Sequence, residues 1–283
     1  MSIAENEKEI ITLDFKETLS DLSKSEEDLG TRKIISVLNN KWHEFHIASI
    51  ASEIIDTHSP TTADHLAYLI PAGMQYVSNF AFSKSAELSL IDLTSLVGST
   101  ILEHKDKLIE VCSSNNVSTN IPNRYAPLSV IIKSHIFSPK VIELGSSFGL
   151  GALSVQFPEI AYSGINFSDA EFSNLAMNKP EKISYVGIDT VNQSNFDKKW
   201  LKACLLSGYL DMESKIDRLL SSTEVQSQKN EIFFINNNIF NEQVLDSVQK
   251  DKSDIIWSSS MMYIFGDKPK NSWDKIYSVA RRI

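Results

Sequence analysis

Residues 140–151 read Lys-Val-Ile-Glu-Leu-Gly-Ser-Ser-Phe-Gly-Leu-Gly, and no other stretch constrains the fold as much. Val141, Ile142 and Leu144 suit a short buried strand with an acid, Glu143, near its end. Glycines follow at 145, 149 and 151, and Ala152–Phe157 opens a helical pattern. A glycine at 145 lets the chain turn sharply and lets a ligand approach bare backbone. The helix behind it begins with unpaired N–H groups and the positive end of its dipole. Glu143 can then accept hydrogen bonds from a ligand's amine or hydroxyl. The spacing excludes several neighbouring motifs. A dinucleotide fingerprint needs G-x-G-x-x-G, whereas this segment reads G-x-x-x-G-x-G. A P-loop needs Gly-Lys-Ser/Thr, which does not follow. Gly145–Gly149 does spell the serine-hydrolase string G-x-S-x-G, but no His and Asp partners stand at triad-like motifs, so a serine hydrolase is not the expected reading.

The chain around this segment divides by periodicity. Ile11, Phe15, Leu19 and Leu22 recur at helical steps, and Leu29-Gly30 reads as the end of that helix. A second pattern runs from Ile35 through Leu38, Trp42 and Phe45 to Ile54 and stops before Ser59-Pro60. Thr61 or Thr62 can cap a third helix, which Pro71-Ala72-Gly73 should break or kink. A fourth spans about Leu88 to Val111, with a weak point at Gly98. From Lys140 onward strands alternate with helices: Lys140–Leu144, Ala161–Phe167, Ile183–Ile188, Glu231–Ile235 and Ser253–Ser258 are strand candidates, and Phe196–Leu220 reads as a long helix. The expected organisation is a helical region over 1–135, then an α/β domain over 136–283 with a mostly parallel, doubly wound sheet.

The acid-then-glycine order resembles motif I of class I S-adenosylmethionine-dependent methyltransferases. A wider resemblance covers about residues 117–265. Ile142–Leu150, Gly187-Ile-Asp189, the run Asp197-Lys-Lys-Trp200-Leu-Lys-Ala-Cys204, Asp217-Arg-Leu219, Thr119-Asn120…Arg124 and Ile256-Trp…Tyr263 are similar, in order, to motifs of an uncharacterised bacterial family. That family is known as a domain of unknown function. The resemblance implies a Rossmann-like, methyltransferase-type fold that binds S-adenosylmethionine. Glu143, Gly145, Ser146 and Gly149 would hold the cofactor. Asp189, rather than Asn166, would meet the ribose, and Asn237 would face the adenine. The departures are Ser146-Ser147 where the family has Ala-Ser, Asn236-Asn237 where it has Gly-Asp, and a C-terminus near the fifth strand. A shortened member would leave an open sheet edge near Ile255–Trp257, inviting self-association. The implied activity is methyl transfer to an unspecified acceptor, with a non-catalytic ligand- or protein-binding member of the fold as the alternative. No catalytic residue is named, because methyl transfer rests mainly on alignment of donor and acceptor and needs no visible nucleophile.

Other features point away from chemistry. The net charge is −9, with nine acids and three lysines in residues 1–30, so no basic footprint for nucleic acid exists. The N-terminus lacks an apolar signal core, and no apolar run reaches the length of a membrane span. Two cysteines, Cys112 and Cys204, suit a reducing, cytoplasmic setting. His43 and His46 stand three apart rather than at the zinc-protease spacing of four, and read as partly exposed helix residues. The expected partner is a small molecule, with no metal, nucleic acid or membrane.

Overall fold

In a computed structural model, the chain is described at residues 5–26, 28–57, 62–78, 84–115, 117, 128, 130–132, 138–145, 183–189, 197–204, 217, 231–236 and 254–258. It forms two compact units. The first combines Met1–Thr119 with Asp197–Glu213, and the second combines Asn120–Phe196 with Ser214–Ile283.

The first unit is a bundle. Its helices are α1 (Glu5–Ser25), α2 (Leu29–Asn40), α3 (Ile47–Thr57), α4 (Ala63–Val77), α5 (Leu90–Ser114) and α6 (Lys198–Ala203). The apolar stripe expected on α1 buries Phe15 and Leu19 completely, each contributing about 1.5–3 kcal/mol. Phe15 meets Trp42 with ring centroids 5.5 Å apart. Leu29-Gly30 does not end α1. Asp28 Oδ1 accepts from the Thr31 N–H at 2.7 Å and starts α2, within which Gly30 is buried. The long pattern from Ile35 to Ile54 breaks at residues 41–46, where His46 takes a φ of 53°. The Ile47 N–H bonds back to the Trp42 carbonyl at 3.0 Å there.

Thr62 caps α4 through His65 N–H at 3.2 Å, and the helix runs on through Pro71 and Gly73 without ending. Gly73 is required by close approach: a Cβ there would lie 2.4 Å from Cys112 Sγ and 2.7 Å from Leu108 Cδ1 on α5. Gly98 serves likewise beneath the Phe45 ring, at 2.9 Å. The irregularity in α5 falls at His104, with φ −127°, rather than at Gly98.

The second unit holds a parallel sheet in the order β3-β2-β1-β4. Its strands are β1 (Lys140–Leu144), β2 (Ser184–Asp189), β3 (Glu231–Asn236) and β4 (Ile255–Ser258). Glu143 is level with Gly187 on β2 and Trp257 on β4. Val141, Ile183 and Tyr185 form a core with Leu128 and Ile132, with Ile255 and Trp257 packed against it. Val141, Ile142, Glu143 and Leu144 are all buried, so both faces of β1 are covered, as parallel strands require. Asp254 fixes the start of β1 by accepting from Lys140 N–H at 2.8 Å.

The expected Rossmann-like α/β fold is overturned. Helix predominates among the described residues: α1 and α5 run for 21 and 25 residues, whereas no strand exceeds six. A doubly wound sheet needs crossover helices on its faces. The described helix α6, read from the sequence as the start of a long helix over Phe196–Leu220, packs in the bundle. Trp200, Leu201 and Ala203 are buried there. The strand candidate Ala161–Phe167, with Asn166, lies outside the described residues.

Candidate functional site

β1 forms because branched apolar residues precede an acid and a glycine. Alternation along it puts Val141 and Glu143 on one face. Their partners in register, Tyr185 and Gly187, share that face on β2. Gly187 has no side chain level with Glu143, so the Tyr185 ring can lean along the strand. Its hydroxyl donates to Glu143 Oε2 at 2.6 Å, and both residues are fully buried. Removing a carboxylate from water is costly unless hydrogen bonds replace the lost hydration. A bond from a phenol to an ionised oxygen is among the stronger kinds.

The chain leaves the sheet at Gly145, which has a φ of 73°. A side chain would be strained in that conformation. The Gly145 N–H still bonds to the Ile188 carbonyl at 2.9 Å, so the turn is tied to the end of β2. Asp189 is the last residue of β2 and is in register with Asn236 on β3. Glu143, Gly145 and Asp189 therefore stand at the carboxyl ends of adjacent strands. Ser146, Gly149 and Asn237 lie outside the described residues. Tyr185 is the member of this group that sequence reasoning missed. Alternation puts Tyr185 and Gly187 on one face of β2, but only the register with β1 sets Tyr185 beside Glu143.

The family-like run at Asp197–Cys204 has a different placement, within the first unit. Asp197 Oδ1 accepts from the N–H groups of Lys199 at 2.8 Å and Trp200 at 3.3 Å, capping α6. Its Oδ2 accepts from the Tyr76 hydroxyl at 2.7 Å. Tyr76 and Trp200 meet edge to face at 5.8 Å, and Lys199 Nζ lies 4.6 Å from the centre of the Tyr76 ring. The bond to the Asp197 carboxylate, and then burial, push the Tyr76 hydroxyl above its ordinary titration range. Gln75 Nε2 donates to the carbonyls of Lys202 at 3.0 Å and Ala203 at 3.4 Å. These contacts dock α6 on α4.

His43 and His46 are exposed. Among the described residues no group of three or more His, Cys, Asp or Glu side chains could hold a metal ion. No described helix is long and apolar enough to cross a membrane. Neither a family model, nor a curated protein, nor a solved structure matches the chain.

Proposed function

We propose that the carboxyl ends of β1 and β2 bind a small polar ligand, with S-adenosylmethionine as the first candidate, in a methyltransferase or methyltransferase-like protein of unassigned acceptor. The observation that carries this reading is the fully buried Glu143 two residues before left-handed Gly145. A buried carboxylate is a costly way to fill a core position. It earns its place where its charge orients a partner. In this reading Glu143 and Gly145 hold the ligand together with Ser146 and Gly149, Asp189 takes a ribose diol, and Asn237 faces the base. A reducing, cytoplasmic setting belongs to the same proposal.

Calorimetric titration of the full chain with S-adenosylmethionine and its demethylated product tests it. Wild type should bind, and Asp189→Ala should bind more weakly while keeping its circular dichroism spectrum. Absence of wild-type binding at millimolar ligand would sink the cofactor assignment. A second reading, non-catalytic binding of a ligand or protein, is supported by the Tyr185 hydroxyl already on Glu143 Oε2. If Glu143→Gln binds S-adenosylmethionine as well as wild type, the acid serves the fold, and this second reading gains.

A further inference from the structure

The sequence has two cysteines, in segments separated by the whole stretch carrying β1 and β2. The fold brings both to α4. Cys112, on α5, is fully buried, and its Sγ donates to the Leu69 carbonyl at 3.5 Å. The absent side chain of Gly73 makes room for that sulfur, which lies 2.4 Å from where a Cβ would stand. Cys204 ends α6, and its N–H bonds to the Trp200 carbonyl at 3.0 Å. The two residues before it are held by the Gln75 side chain of α4. One turn of α4, from Gly73 to Tyr76, thus carries the Cys112 sulfur and the end of α6.

We propose that Cys112 and Cys204 are an oxidisable pair that closes a reversible disulfide between α5 and the end of α6. Cys204 is half-buried and Cys112 is buried, so an oxidant reaches Cys204 first. With a hydroperoxide as oxidant, the Cys204 thiolate attacks a peroxide oxygen. The O–O bond breaks, leaving a sulfenic acid and a hydroxide that takes up the proton shed by the thiol. The Cys112 sulfur then attacks the Cys204 sulfur. The S–O bond breaks, and water leaves with the Cys112 proton. Two thiols lose two electrons in all, and one hydrogen peroxide becomes two waters. Burial pushes the Cys112 thiol well above its ordinary range, and Cys204 adds to that push. Cys112 is therefore not the first to react. The bond would fasten Asp197–Glu213 to Met1–Thr119, the two stretches that make the first unit.

Exposure of the full chain to hydrogen peroxide, followed by peptide mapping under denaturing conditions, tests the pair. The expected product is a Cys112–Cys204 cross-linked peptide in a monomer lighter by two hydrogens, restored by dithiothreitol. The oxidised monomer should also melt at higher temperature than the reduced one. Cys204→Ser should leave Cys112 reduced under the same exposure, which checks the order of reaction without requiring a new fold. Recovery of Cys204 as sulfinic acid or as an intermolecular disulfide, with Cys112 still a thiol, would overturn the proposal.

Discussion

Each unit of this protein contains an acid bonded to a tyrosine, and the two pairs have different work. In the helical unit Asp197 accepts from Tyr76 at 2.7 Å, and its other oxygen caps α6. The residue is half-buried, and its position follows from the need of a helix start for an acceptor. In the sheet unit Glu143 accepts from Tyr185 at 2.6 Å at zero exposure. The backbone around Glu143 is already paired on both sides by β2 and β4. The bundle uses an acid to complete local structure. The sheet keeps one where an apolar residue would serve stability better, which is why the functional proposal rests on Glu143 and not on Asp197.

The sharpest way to break this comparison is to remove each tyrosine hydroxyl in turn. Tyr185→Phe leaves a fully buried carboxylate without the phenol's donor. It should cost about 3 kcal/mol, the upper range for a hydrogen bond to a charged group. Glu143→Gln keeps an acceptor for Tyr185 and should cost about 1 kcal/mol. Urea unfolding of the single variants and of the double variant measures both costs and the coupling between them. Equal, small losses for the two single variants would show that the acid is neutralised or hydrated in the folded protein, and would remove its special standing.

The bundle was largely legible in the sequence because its determinants are local. The Phe15/Leu19 stripe and the Thr62 cap each lie within a few residues of the structure they cause. The errors there were local too. Leu29-Gly30 reads as a helix end only if Asp28 is overlooked as a cap. Pro71 was expected to interrupt α4, yet the helix continues, with Gly73 packed closely against α5. In the sheet unit the short strands at Lys140 and Glu231 were visible as apolar runs, but their surroundings were not. Nothing in the pattern of Trp200, Leu201 and Cys204 says whether that apolar face meets a sheet or a bundle. The decision lies with Tyr76 and Gln75, more than a hundred residues earlier. Tyr185 was hidden for the same reason: its role depends on the register between β1 and β2, which periodicity within one strand does not contain.

Tyr76→Phe should have a smaller effect than Tyr185→Phe, about 1 kcal/mol, because Asp197 keeps two N–H donors and partial access to water. Its pH dependence carries a sign. The Tyr76 hydroxyl titrates above its ordinary value in the folded state, with the bond to Asp197 as the largest cause. The protonated phenol is therefore favoured by folding. That contribution is complete below the ordinary tyrosine range, near about pH 10, and is lost as pH rises through the raised folded value. Denaturation curves of wild type and Tyr76→Phe should differ at neutral pH and converge in strong alkali. A difference that persists there would mean that Tyr76 acts through its ring packing on Trp200 alone.

The smallest effect belongs to an acid at the surface, which completes the series from buried to exposed. Glu53 on α3 accepts from Lys105 Nζ at 3.0 Å and from Ser49 Oγ at 3.1 Å. Its side chain is 47% exposed and that of Lys105 is 40% exposed. The Lys105 bond, the largest cause, lowers the Glu53 titration below its ordinary value. Its contribution is therefore present above the ordinary carboxylate range and lost as pH falls through the lowered folded value. Water and salt screen such a pair, so Lys105→Met should change stability by no more than about 0.5 kcal/mol at neutral pH. The difference should shrink further in 1 M salt, where the screening length is only about 3 Å. Glu143 and Tyr185, shielded from solvent, should keep their coupling in the same salt. A Lys105→Met effect as large as that of Tyr185→Phe would show that depth of burial does not rank these carboxylates, and would sever the argument that singles out Glu143.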